Sequence, residues 1–390
     1  MDDRERKDYV IRVSDDPSAI DASAWNRLLG SQSEPTPFMR HEYLCALHRS
    51  ASACDRTGWS HRFLTLWAAG SLCAAAPVYL KDHSYGEYVF DWAWADAYRR
   101  HGLAYYPKLL IAVPFTPVPG SRLLAIDAPS RSALLGAAHA MARDNGLSSA
   151  HVLFHDQADA AALTGAEWLA RQSVQFHWDW TSAGEPSDFA EFLARMQRDK
   201  RKKIAQERRR VADAGVTFAV YQGTQIDEAL WDFFYRCYVL TYRAHRSTPY
   251  LTRRFFRELA ESMAENWVLF VARAGDESIA ASLIALDPNR RHAYGRYWGA
   301  TRYIDCLHFE ACYYQPLQWC IENGYRRFEG GAQGEHKMAR GLLPVRTHSS
   351  HWLAHPAFAQ AVDQYLQSET QGIDAYVDEL SERVPFRRAN

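Results

Sequence analysis

The 390-residue sequence predicts an α/β protein of two tandem units, each a mixed, mostly antiparallel sheet flanked by helices. Three observations carry that expectation. The length allows two domains, and a hydrophobic content of 47% supplies sizeable cores without metal or disulfide staples. Apolar spacing switches between a period of two and a period of 3.6 in the order strand, two helices, three strands, helix, strand. That order then recurs in the second half of the chain.

In the first unit Tyr9–Val13 alternates like a strand, and Ile20–Leu29 and Phe38–Ser50 have helical spacing on either side of the turn-rich SQSEPTP. Phe63–Ala69 and Leu72–Leu80 are apolar runs divided by the hairpin signal Gly70-Ser71, and Tyr88–Trp94 reads as a third strand. After the proline-rich stretch Tyr105–Gly120 come a helix at Ser132–Asn145 ended by Gly146, a strand at His151–His155, a helix at Asp159–Leu169 and a strand at Ser173–Trp180. The segment Ala183-Gly184-Glu185-Pro186 divides a first domain, residues 1–184, from a second, 185–390. Just beyond it, Asp188 with Glu191 opens a long basic helix, 187–214, in the manner of a capping box.

The second unit follows as strand Val216–Tyr221, helices Ile226–Ala244 and Thr252–Glu265, and strands Trp267–Ala272, Ile279–Asp287 and His292–Trp298. Helix His308–Asn323 and strand Arg327–Glu329 complete it. Phe63–Leu80 is similar to Val268–Leu286, and each unit has a Tyr-Tyr pair near a proline, at Tyr105-Tyr106-Pro107 and Tyr313-Tyr314-Gln315-Pro316.

Charge is balanced, with 45 Lys plus Arg against 46 Asp plus Glu, so an electrostatic partner has to be met by a local patch. The seven cysteines include no C-x-x-C pair and read as reduced thiols. The charged start, MDDRERKDYVIRV, lacks an apolar core, and no apolar run is long enough to span a bilayer. Cytoplasm is therefore the expected location, and the oligomeric state is left open.

Four stretches carry a family resemblance: Asp91-Trp92-Ala93-Trp94-Ala95-Asp96; Tyr105-Tyr106-Pro107-Lys108 with Ala112–Pro117; His308–Gln315; and Gly331-Ala332-Gln333-Gly334-Glu335-His336-Lys337. With the element order, they resemble the FemAB-like branch of the GNAT acyltransferase superfamily, often labelled peptidoglycan biosynthesis/recognition. The resemblance spans nearly the whole chain. It implies two GNAT-like domains and N-acyltransferase activity toward an amine acceptor, either a small molecule or a cell-wall precursor. It also implies acyl-CoA or aminoacyl-tRNA as donor, with tRNA as a partner and no tightly bound cofactor. In GNAT domains the CoA pyrophosphate rests on Q/R-x-x-G-x-G/A, a pattern that Arg99, Gly102 and Ala104 fit, although Pro107 and Pro114 oppose a regular helix after it.

The loop Gly330–Gly341 is the expected site, because its glycines free the backbone to approach a ligand and polar side chains follow closely. Acyl transfer needs a base for the amine proton and donors for the carbonyl oxygen. Glu335 or His336 suits the first role, Lys337 or Arg340 the second, and Gln333 a substrate contact; the resemblance makes Lys337 a ligand-contacting residue. On helix His308–Asn323, Pro316 removes the partner of the Cys312 carbonyl and predicts a kink, with His308, Glu310, Tyr314 and Gln315 facing either a cleft or an internal network.

Arg195–Arg210 holds nine Lys/Arg against Asp199 and Glu207, so Lys200, Arg201 and Lys203 suit a phosphate-bearing ligand as well as a solvated helix face. The aromatic cluster Trp92, Trp94, Tyr98, Tyr105 and Tyr106 could stack sugars or bases, or fill a core. No metal is expected. His348-x-x-His351 lacks companion ligands and lies in strand-like sequence where i and i+3 face opposite sides. The alternatives to a transferase are a non-catalytic recognition module for a phosphate-bearing ligand and, further off, a metal-dependent hydrolase using His336, His348 and His351.

Overall fold

A computed structural model describes residues 8–180, 185–332 and 334–387. The first half runs β1 (Val10–Ser14), α1 (Ala22–Gly30), α2 (His41–Arg49), β2 (Trp59–His61), β3 (Phe63–Ala68), β4 (Ser71–Ala76), β5 (Val78–Lys81) and α3 (Trp92–Arg100). It continues through β6 (Lys108–Ile111), β7 (Leu124–Ala125), α4 (Ala128–Asp144), β8 (Ser149–Leu153), α5 (Gln157–Gly165) and β9 (Leu169–Asp179). Then come α6 (Phe189–Arg195), α7 (Arg198–Asp213), β10 (Val216–Gln222), α8 (Glu228–Ala244), α9 (Arg253–Ser262), β11 (Trp267–Ala274), β12 (Glu277–Asp287) and β13 (His292–Ala300). The chain closes with α10 (Leu307–Phe309), a π turn (Glu310–Tyr314), α11 (Gln315–Glu322), β14 (Arg327–Glu329), β15 (Leu343–Leu353) and α12 (Pro356–Glu382).

Aspartates start many of the helices. Asp21, Asp127, Asp156, Asp188 and Asp227 each accept a hydrogen bond from the backbone N–H three residues on, satisfying a donor that has no partner inside the helix. At α6 the box is extended, since Glu191 Oε2 also accepts from the Ser187 N–H at 2.7 Å.

The chain divides into two compact units, Met1–Ser173 with Thr347–Ile373, and Val174–Arg346 with Asp374–Asn390. In the first unit β1-β3-β4-β7 form an antiparallel sheet, and a second set runs β2-β5-β6-β8-β15, with β6 and β8 parallel. Leu64, Leu66, Ala74 and Ala76 pack there against Leu134, Leu135, Ala138 and Ala142 of α4. In the second unit the order is β10-β11-β12-β13-β14-β9, antiparallel except between β13 and β14. Val268, Phe270, Ile284 and Leu286 meet Phe189, Phe192, Ile204, Tyr314 and Leu317 in its core. This is the α/β fold of two mixed-sheet units that the sequence predicts.

Backbones approach closely where α8 crosses β13. A Cβ on Gly299 would lie 2.0 Å from the Cys237 carbonyl oxygen, so only glycine lets the helix sit down on the strand. Gly299→Ala should cost about 3 kcal/mol, read as a lower urea midpoint with an unchanged slope.

Several elements differ from expectation. Tyr88–Trp94 is not a strand: α3 begins at Trp92, because Trp94 and Tyr98, one helical turn apart, drop together into an apolar cluster with Tyr105 and Leu353. The run Leu72–Leu80 splits into β4 and β5 at Pro77, whose missing N–H ends the ladder, and the two strands join different sheets. The proline-rich stretch contains the buried strand β6. The helix 187–214 is broken between α6 and α7, where Met196 turns extended and fully inward and bridges Phe386. The two compact units divide within β9, after Ser173, and its end, His177–Asp179, pairs with β14 of the second unit; of the expected boundary segment 183–186, residues 183 and 184 lie outside the described ones. The 27-residue helix α12 has no counterpart in the sequence expectations.

Candidate active site

Pro316 shapes the site. Lacking an N–H, it cannot bond the carbonyl one turn back, and the helix accommodates this with the π turn Glu310–Tyr314 rather than a simple kink. Three side chains of that turn reach other elements of the second unit. Glu310, buried, accepts from Arg208 Nε of α7 at 3.1 Å and from Gln315 Nε2 at 2.7 Å. Tyr313 OH is 3.2 Å from His336 Nε2. Tyr314 OH donates to Glu207 Oε2 of α7.

Glu207 is the anchor. Ile204, Glu207 and Val211 lie along one buried face of α7, so the carboxylate is carried inward. There it accepts from Arg340 Nη2 at 3.1 and 3.0 Å. Arg340 also donates from Nη1 to the His336 carbonyl at 2.6 Å and lies 3.5 Å over the Phe309 ring, while its buried Nε makes no hydrogen bond among the described residues. With 3% and 9% of their side chains exposed, Arg340 and Glu207 neutralise each other in a nearly dry setting.

The 3₁₀ turn Glu335–Arg340 sorts the remaining groups. Residues three apart eclipse in such a turn, so Lys337 and Arg340 both point inward, and Glu335 and His336 outward. Gly330 makes room for Lys337: a Cβ there would stand 3.1 Å from Lys337 Cδ and 2.5 Å from Leu342 Cδ2. Gly334, at φ +115°, starts the turn in a conformation open to glycine. Lys337 Nζ donates to the Gly331 carbonyl at 2.8 Å, and burial brings its ammonium down to about 8. Burial, with the charges of Arg340 and Lys337 behind it, also lowers the His336 imidazole, leaving it neutral at pH 7.

The other expected residues fall as follows. His308, edge-on to Trp298 at 5.1 Å, is pushed down to about 4 by burial and the neighbouring His336, Arg340 and Lys337. Glu335 accepts from Tyr376 OH of α12 at 2.7 Å. Glu310 and Gln315 line a depression of about 380 Å³ with Arg208, Arg209 and Phe218. Lys200, Arg201 and Lys203 occupy the start of α7, where Lys200 pairs with Asp199 at 3.2 Å and Lys203 is exposed. Gln333 lies outside the described residues.

Arg99, Gly102 and Ala104 do not form a pyrophosphate cradle. Arg99 lies in the last turn of α3 and Gly102 and Ala104 just beyond it, at the negative end of the helix dipole, with strand β6 next, and Arg99 is bound to Asp96 at 2.5 Å. His351 bonds to His151, Nδ1 to Nδ1, at 2.7 Å, and among the described residues no cluster of His, Cys, Asp or Glu is arranged to hold a metal ion. None of the described helices is long and apolar enough to cross a membrane. Glu207 and Arg208 were not expected in the site; the legible signal was a carboxylate on the stripe of Ile204 and Val211.

Comparison with known proteins places this geometry in context. The FemAB-like family profile, described as peptidoglycan biosynthesis/recognition, matches residues 16–388. No curated protein matches the sequence. Solved structures share the fold at low identity. One is the C-terminal domain of a putative lysylphosphatidylglycerol synthetase from Agrobacterium fabrum (12% identity, TM-score 0.54, 87% of this chain and 94% of that one). Another is L-PGS from Bacillus licheniformis (10%, 0.55, 93% and 99%). A third is FemX (11%, 0.54, 88% and 98%).

Proposed function

From the premise that this chain belongs to the FemAB-like family of peptidoglycan biosynthesis and recognition, we propose that it is an N-acyltransferase moving an acyl or aminoacyl group onto an amine. The observation that carries the reading is the turn Glu335–Arg340, which sets a neutral, outward imidazole beside a buried ammonium. In the proposed step the acceptor nitrogen attacks the donor carbonyl, forming the C–N bond, and His336 takes the amine proton. The Lys337 ammonium, on the inner side of the turn, exchanges its bond to the Gly331 carbonyl for one to the oxyanion and steadies it. As the carbonyl re-forms, the bond to the donor's leaving sulfur or oxygen breaks, and the leaving atom takes the proton from the His336 imidazolium.

Arg340, held by Glu207 and Tyr314, fixes the turn, and Glu335 ties it to Tyr376. Glu310 and Gln315, which line the depression, shape the acceptor side together with His308 and Tyr314, and Lys200, Arg201 and Lys203 draw a phosphate-bearing substrate to the start of α7. The family makes a cell-wall precursor the favoured acceptor. The FemAB-like resemblance makes aminoacyl-tRNA a donor to try beside acyl-CoA.

The test is a mass-spectrometric assay of the purified protein with acetyl-CoA, longer acyl-CoAs or charged tRNA as donor and a nucleotide-linked muropeptide as acceptor. A product heavier by the acyl group supports transfer; binding without turnover against every donor makes the chain a recognition module. The rate should also follow a bell in pH. It falls in acid once His336, held below 6.5, gains a proton, and falls in alkali as Lys337 loses its own near 8. Lys337→Arg should remove the alkaline limb, and an unmoved limb would rule out Lys337 as its source.

A further inference from the structure

The first unit carries a depression of about 400 Å³ that the proposed transfer does not use. Its apolar walls are Trp92, Tyr105, Tyr106 and Leu103, and Asp96 and Arg99 stand on its polar side. The two tyrosines are held from behind. Tyr105 OH donates to Asp91 Oδ2 at 2.7 Å, and Tyr106 OH lies 2.8 Å from Ser84 Oγ. Lys108 gathers these supports: fully buried, its Nζ donates to Ser84 Oγ at 2.8 Å, to Glu87 Oε2 at 2.8 Å and to Asp91. Burying an ammonium with two carboxylates is a costly way to fill a core, whereas it fixes both rings in one orientation.

We propose that this depression is a saccharide-binding site for one or two sugar rings. A pyranose has an apolar C–H face, which suits the fixed aromatic rings, and a rim of hydroxyls that each donate and accept. The polar side matches that rim: Asp96 only accepts, Arg99 only donates, and the two stand 2.5 Å apart, so neighbouring hydroxyls can engage both. Trp92, 40% exposed, is followed outward by Tyr85, 58% exposed, with ring centres 5.0 Å apart and planes inclined at 59°, so a second sugar ring meets Tyr85 at an angle to the first. The volume is near the lower end for ligand pockets and leaves little room for more.

Saturation-transfer NMR on the full chain tests this with glucose, N-acetylglucosamine and cellobiose as probes. Sorbitol supplies hydroxyls without a ring face, cyclohexanol a ring without neighbouring hydroxyls, and adenosine a base. Transfer to the ring C–H protons of at least one saccharide is expected, absent in Trp92→Ala and weakened about tenfold in Asp96→Asn. Both side chains are exposed enough that thermal unfolding should be unchanged, which separates lost binding from lost fold. Silence from all three saccharides, equal binding of cyclohexanol, displacement by adenosine, or binding that survives Trp92→Ala would each overturn the proposal.

Discussion

Replacing Lys337 with methionine should lower the rate of transfer by about 10²–10³-fold and leave the protein folded. The magnitude is that of removing one preorganised donor from an oxyanion site. Methionine keeps most of the stem that lies beside Gly330 and loses the ammonium, with its bond to the Gly331 carbonyl. Because burial already brings that ammonium down to about 8, the folded protein gives up little by losing the charge, and the melting temperature should hold or rise slightly. The paired measurements are kcat for acyl transfer and thermal unfolding. Transfer at the native rate would remove Lys337 from the mechanism. A collapse of folding would make it a structural strut.

Much of the second unit's architecture was open to periodicity. Strands β11 and β12 are near-continuous apolar runs bounded by Gly275 and by Pro288-Asn289, and turn chemistry fixes their ends. The helix break at α6 was less legible, because local charge and spacing continue through Met196 and what turns that residue inward is Phe386, nearly two hundred positions away. For the same reason aromatic Tyr88–Trp94 misleads: β propensity is a local statement, and α3 is set by what Trp94 and Tyr98 pack against.

The site was half legible. The glycine spacing located the turn, and Pro316 announced an irregular helix, yet a π turn is a different irregularity from a kink, and it decides that Glu310, Tyr313 and Tyr314 each reach a separate partner. The chemistry of Glu207 was concealed by composition. Within a basic run it looks like one half of a solvated charge pair, and only the three-residue spacing from Ile204 separates it from Asp199, which is exposed. The outward groups Glu335 and His336 and the inward groups Lys337 and Arg340 are four near neighbours in sequence that a 3₁₀ turn sends to different environments.

That division makes Glu207 the residue on which the turn depends. Glu207→Gln keeps the shape and a hydrogen-bond acceptor for Tyr314, but it leaves the buried Arg340 guanidinium without a counter-charge. The loss should be about 3–5 kcal/mol, read from urea unfolding, far above the cost of an exposed pair such as Arg254–Glu258. Adding Arg340→Met to the same chain removes the stranded charge and should recover a large part of that loss, because an apolar side chain is tolerated beside the Phe309 ring. Transfer would stay low in the double variant, since the turn that aims Lys337 has lost its tie to α7. A double variant no more stable than Glu207→Gln would show that the pair's weight lies in the bond to Tyr314 and not in the charge on Arg340.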